Sequence, residues 1–147
     1  MIPEANEACI EYLDHVADAG IRVRGDSVAD VFCGAARGLF ALMVEVDRVQ
    51  AASRHDVFCH AETLPELLVE WLGDLVAQKD LTGFVFRRFE VAIDQDEERF
   101  SLRGLAWGEA FDPSRHEAGV EVKGISYLNL RVKQDADGWM AECVFDI

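Results

Sequence analysis

Asp14-His15-Val16-Ala17-Asp18 places two carboxylic acids and an imidazole within one short run, ahead of the small pair Ala19-Gly20 and the alternating Ile21-Arg22-Val23-Arg24. Read as one extended segment, a period of two sends Asp14, Val16 and Asp18 to one face and His15 and Ala17 to the other. Acids gathered on a strand face are either a solvated edge or turn, or donors for something positive. The far end of the chain adds to the second reading. There Trp139, Ala141, Cys143, Phe145 and Ile147 alternate with Met140, Glu142, Val144 and Asp146. A strand that keeps its apolar face this far is expected to be docked, because chain ends otherwise fray. Docking would hold the Ile147 α-carboxylate beside Asp146, and Asp18 could meet both in the fold. Three converging carboxylates repel one another, and a hard cation relieves that cost. The expected metal ligands are therefore Asp18, Asp146 and Ile147, and the expected cofactor is a divalent ion of the calcium or magnesium type.

The elements that must position these groups are legible from periodicity. Ser27-x-x-Asp30 reads as a helix cap, and Val28, Val31, Phe32, Ala35, Leu39, Leu42 and Met43 form one apolar stripe through about Val44. Arg54 to Glu62 reads as a strand with Val57, Cys59 and Ala61 on one face. Thr63-x-x-Glu66 is a capping box for a second amphipathic helix through about Lys79, with Gly83 turning the chain back. Phe84 to Asp94 and Arg99 to Trp107 should pair as a hairpin around Gln95-Asp96-Glu97-Glu98. A long strand from about Val120 to Gln134 and the Asp137-Gly138 turn lead into the terminal strand. The expected fold is one α+β domain over residues 1–147: a mostly antiparallel sheet with both helices packed on one face.

Composition narrows the function classes. The 147 residues carry 28 acids against 14 Lys and Arg, a net charge of −14, which argues against direct nucleic-acid binding and is compatible with a basic protein partner or simply with solubility. Cys9, Cys33, Cys59 and Cys143 are scattered without a Cys-x-x-Cys pair, so free thiols are expected rather than disulfides. His55, Cys59 and His60 look superficially like zinc ligands, but no second pair of matching spacing supports them. No stretch reads as a signal peptide or membrane span, and a cytoplasmic location is expected.

The run Glu11-Tyr12-Leu13-Asp14-His15-Val16-Ala17-Asp18, the segment Trp107-Gly108-Glu109-Ala110-Phe111-Asp112 with Arg115-His116, the run Glu121-Val122-Lys123-Gly124-Ile125-Ser126-Tyr127, and terminal Asp146-Ile147 together resemble the archease family. The resemblance runs from about Glu11 to Ile147. One departure is visible: Val16 stands where the family usually has Thr, which removes a hydroxyl and leaves the carboxylate of Asp18 in place. The resemblance implies an accessory protein that activates a GTP-dependent RNA ligase joining 3′-phosphate or 2′,3′-cyclic phosphate ends to 5′-hydroxyl ends in tRNA splicing and RNA repair. It implies promotion of guanylylation and repeated turnover through a bound metal. Asp18 and Asp146-Ile147 match the family's metal-holding positions. Lys123 matches a lysine linked to activity, His116 lies in a matching loop, and an acid is common at the position of Glu45.

The residues leave an enzyme open as well. There is no Gly-x-Ser-x-Gly elbow, no phosphate-cradling loop ending in Lys-Ser or Lys-Thr, and no His-Glu-x-x-His pattern. A hydrolase could still be assembled from Asp18, Asp146 and a cation, with His15 or His116 as base. For Lys123 a surface ion pair with Glu121 is the plain alternative, and for Glu45 a solvated loop acid.

Overall fold

The computed structural model describes residues 8–147 apart from 16 and 17, and for Asp14 and His15 the backbone alone. The strands β1 (Cys9–His15) and β2 (Asp18–Gly25) precede the helix α1 (Val28–Met43); a short 3-10 turn (Val46–Arg48), β3 (Ser53–Ala61) and α2 (Leu64–Thr82) follow. The chain ends with β4 (Phe84–Gln95), β5 (Phe100–Ala110), β6 (Gly124–Asp135) and β7 (Gly138–Asp146). The α+β class expected from the sequence is the one observed, with two helices and antiparallel strand pairs throughout the named strands.

Local chemistry sets the helix ends where the sequence places them. The Ser27 hydroxyl accepts the Asp30 amide at 3.1 Å. At α2 the Thr63 hydroxyl accepts the Glu66 amide at 3.3 Å and donates to the Glu66 carboxylate at 3.0 Å. Gly83 closes α2 in the left-handed conformation, φ 75°, and the last helical residue, Thr82, is three residues beyond Lys79, so the helix runs about one turn longer than the sequence suggested.

Three expectations need correction. The strands form two sheets, not one: a four-stranded sheet in the order β1-β2-β7-β6 and a three-stranded sheet in the order β3-β5-β4. Periodicity defines which face of a strand is apolar but carries no information on which strands pair. Second, Asp14 to Asp18 is not one strand. β1 ends at His15 and β2 begins at Asp18, and the hairpin register sets His15, not Asp14, opposite Asp18; Val16 lies outside the described residues. Third, β6 starts at Gly124. Residues 118–120 instead run back along the end of α1, with Val44 bridging Ala118 and the Val120 amide donating to the Leu42 carbonyl at 2.8 Å.

Both helices touch strands of both sheets, α1 through β2, β7 and β4 and α2 through β3, β5 and β6. Ile21, Val23, Ala141, Cys143 and Phe145 on the inner face of the four-stranded sheet join Phe32, Leu39, Phe40, Trp71, Leu72 and Phe86 in one buried cluster. Gly34 permits the seating of the first hairpin on α1: a Cβ there would lie 2.6 Å from Val23 and 2.6 Å from Ala8. The Tyr12 hydroxyl donates to the Gly38 carbonyl at 3.1 Å one turn further along. The hairpin carrying Asp18 is thus fixed to the core by close packing. Strand β7, central in its sheet, is buried on both faces from Met140 to Phe145, although alternation alone suggested one apolar face.

Candidate carboxylate site at the ends of the central strands

Asp18 opens β2 and Asp146 closes β7, and the antiparallel register sets them directly opposite each other. Directly opposite residues share a face of the sheet at a separation of roughly 4.5–5.5 Å between Cβ atoms. On the other side of β7, Asp146 is opposite Gly124, and a Cβ built on that glycine would lie 3.7 Å from Asp146 Oδ2. The Asp146 carboxylate therefore leans over the glycine at the start of β6. The Asp146 carbonyl accepts the Lys123 amide at 2.7 Å, so Lys123 is tied by its backbone to the same corner. Asp18 is half-buried, whereas Asp146 and Lys123 are exposed.

Ile147 follows the strand and is 40% exposed, so the backbone pairing holds the chain as far as Asp146 and not through Ile147 as the alternation suggested. Glu45 is exposed at the foot of α1, and its amide donates to the Glu117 carbonyl at 3.2 Å. Among the described residues, no group of three or more His, Cys, Asp or Glu side chains is disposed to hold a metal ion, so Glu45 does not complete a trio with Asp18 and Asp146. Two acids, Asp18 and Asp146, are opposed at this corner.

His116 ties its own loop to β5. It is 3% exposed; its Nδ1 accepts the Asp112 amide at 2.8 Å and its Nε2 lies 2.9 Å from Glu109 Oε2. An amide donating to Nδ1 leaves no proton there, so the ring's hydrogen is on Nε2 and is given to Glu109. Glu109 also receives Arg115 at 2.7 Å and the Gln50 amide at 2.8 Å. Those partners, Arg115 foremost, hold the Glu109 carboxyl down at about 2. With both ring nitrogens engaged, His116 clasps the loop of residues 112–116 and so sets the course of 117–123 toward Asp146. Glu109, on β5, is the partner the sequence reading missed; the signal was an acid seven residues before a histidine across an Asp-Pro turn.

A second unanticipated feature crosses the whole four-stranded sheet. Glu11, Arg22, Glu142 and Arg131 stand opposite one another on β1, β2, β7 and β6. Arg22 reaches Glu11 at 3.2 Å and Glu142 at 3.0 Å, and Arg131 reaches Glu142 at 2.9 Å. Burial raises the Glu142 carboxyl, and the two guanidinium groups more than reverse that, leaving it below its usual range. This ladder locks the register that sets Asp18 opposite Asp146.

The cysteines are free, Cys9 exposed and the others buried or half-buried. Burial pushes the Cys59 and Cys143 thiols up to about 12, which makes them poor nucleophiles. A cleft of about 270 Å³ lined by Met43, Lys79, Val85, Phe111 and Val120 includes neither Asp18 nor Asp146. Among the described residues no helix is long and apolar enough to cross a membrane.

Comparison with known proteins agrees with this architecture. Residues 10–147 match the Archease protein family (MTH1598/TM1083). The chain is 40% identical over 138 residues to "Protein archease" of Pyrococcus abyssi, covering 93% of this chain and 97% of that relative. It is 36% identical over 137 residues to "Protein archease" of Methanopyrus kandleri, covering 93% and 98%. The solution structure of Methanobacterium thermoautotrophicum protein 1598 superposes with a TM-score of 0.84 at 30% identity, covering 94% of this chain and 98% of that one. On its motifs, its fold and these likenesses, the chain belongs to the archease family.

Proposed function

We propose that this protein is an accessory factor, not itself an enzyme, that activates a GTP-dependent RNA ligase of tRNA splicing and RNA repair. It acts through a divalent cation of the calcium or magnesium type, promoting guanylylation and repeated turnover. The observation that carries the reading is the register of Asp18 against Asp146, which brings residues from opposite ends of the chain to one corner. The activity this corner would serve is the one that the resemblance of its motifs to archeases implies.

The donor chemistry fits. Hard divalent cations take roughly six to eight oxygen ligands, with carboxylates, carbonyls and water as the usual sources. Asp18 and Asp146 supply two carboxylates, and the main chain at Ile147, just past the end of β7, is the next oxygen source. The remaining positions suit water, or phosphate and carboxylate oxygens brought by a partner, and the exposure of Asp146 leaves them reachable. When bound, the cation would add positive charge to an otherwise anionic corner. Lys123 adds a further positive group within reach of an incoming anion. The acidic surface, net −14, suits contact with a protein better than contact with RNA.

The test is ligation of a cleaved RNA, in excess over the ligase from the same organism, with GTP and divalent metal, with and without this protein. Multiple turnovers that require the protein support the proposal. Equal turnover in both reactions, or hydrolysis of a phosphate ester by the protein alone, overturns it.

A further inference from the structure

We infer that the outer strand of the four-stranded sheet, around Tyr127 and Leu128, is a docking surface for a protein partner that presents an apolar pocket rimmed by carboxylates. The inference rests on the accessory reading above and names the surface by which that reading would operate.

Strand β6 is at the edge of its sheet. Its pairing with β7 breaks between Ser126, opposite Val144, and Arg131, opposite Glu142, so residues 127–130 bulge where β7 has only Cys143. The bulge is held by two local devices. Asn129 takes the left-handed conformation at φ 55°, and the Ser126 hydroxyl accepts the Leu128 amide at 3.0 Å. The result is that Tyr127 and Leu128, consecutive in the chain, stand 66% and 54% exposed on a segment that these two devices shape.

A bulge can serve merely to stop edge strands from pairing with other chains. That purpose is met by the twist and by charge, and it gives no reason to offer adjacent aromatic and aliphatic side chains to water. Exposed apolar anchors are what a partner pocket uses.

Charge identifies the occupant. Residues 122–134 contain none of the chain's 28 acids, in a protein of net charge −14; Arg131 there is paired with Glu142 at 2.9 Å, and Lys123 and Lys133 supply the positive charge. The stretch is a local positive strip on an anionic molecule, complementary to an acidic rim. It is also continuous with the carboxylate corner, since Lys123 and Gly124 lead directly into it and both adjoin Asp146. A partner seated on the bulge would thus bring its own groups to Asp18 and Asp146. RNA is the poorer fit, because Leu128 offers no stacking face and the rest of the surface is acidic.

The experiment measures binding of the full-length protein to the RNA ligase of the same organism, by calorimetry or biolayer interferometry, in calcium. Tyr127→Ser with Leu128→Ser should weaken binding at least about tenfold while leaving the calcium affinity of the isolated protein unchanged. Lys133→Glu should weaken it too, with a reduced dependence on salt. Phe58→Ser, an equally exposed apolar residue on the other sheet, should bind as the parent does. If the parent binds and the double variant binds equally well, the surface is refuted while the accessory reading stands. If the parent neither binds nor stimulates the ligase, the accessory reading fails and this surface loses its partner. Retention of single-stranded RNA by the parent, lost in the double variant, would overturn the assignment in favour of nucleic acid.

Discussion

Asp18 and Asp146 face each other across the β2–β7 pair, the first residue of one strand opposite the last of the other. Like charges directly opposite destabilise a sheet, so this arrangement costs stability unless something positive enters. Asp18→Asn and Asp146→Asn should each lower calcium affinity at least about tenfold, by loss of a charged ligand, with circular dichroism unchanged. Measured without divalent metal, the same variants should melt at or above the parent's temperature. Undiminished calcium binding in both would remove the site.

Metal linkage gives a second reading of the same corner. A ligand bound only by the folded state adds about 2.7 kcal/mol at one hundred times its dissociation constant. Thermal melts of the parent in saturating calcium should therefore lie above those in chelator, and the difference should vanish in the Asp18→Asn, Asp146→Asn double variant. A shift that survives in the double variant would locate the cation elsewhere.

Glu142 is 6% exposed between Arg22 and Arg131. Glu142→Gln leaves the shape and removes the charge, and should cost roughly 1–3 kcal/mol in urea unfolding. The pH dependence follows from the lowered carboxyl. The stabilisation is complete above the ordinary glutamate range and is lost as pH falls through the folded-state value, so the variant and parent should converge in stability under acid. A constant gap down to strongly acidic pH would contradict the charge ladder.

His116 holds the Asp112 amide and Glu109 together. His116→Ala should lower the melting temperature, at a cost of about 1–3 kcal/mol for the buried groups left unpaired. Any loss of ligase stimulation should be recovered by lowering the assay temperature, as befits a positioning residue. The Glu109 carboxyl, held at about 2, contributes stability that is present above pH 4.5 and falls away toward pH 2. Stimulation abolished in a stably folded His116→Ala protein would assign the ring a direct part instead.

Gly104 lies beneath the indole of Trp71, whose Nε1 donates to the Phe32 carbonyl at 3.0 Å. A Cβ on residue 104 collides with that ring, so Gly104→Ala should destabilise by roughly 1–3 kcal/mol. Chemical denaturation that finds the variant as stable as the parent would mean that the indole can move aside.

The sequence by itself determined the helices, their caps, most of the strands and the candidate residues, because caps, apolar periods and short motifs are local properties of the chain. It could not decide that β2 and β7 are neighbours, because strand pairing is a long-range choice that local alternation does not encode. Only the tertiary structure set Asp18 opposite Asp146, broke the Asp14–Asp18 run into a hairpin with His15 opposite Asp18, and split the strands into two sheets. The Tyr127–Leu128 bulge was equally hidden, since a run of alternating residues reads as a regular strand until its partner is known. His116 likewise reads as a base in isolation and becomes a clasp once Glu109 and the Asp112 amide are seen to occupy both ring nitrogens.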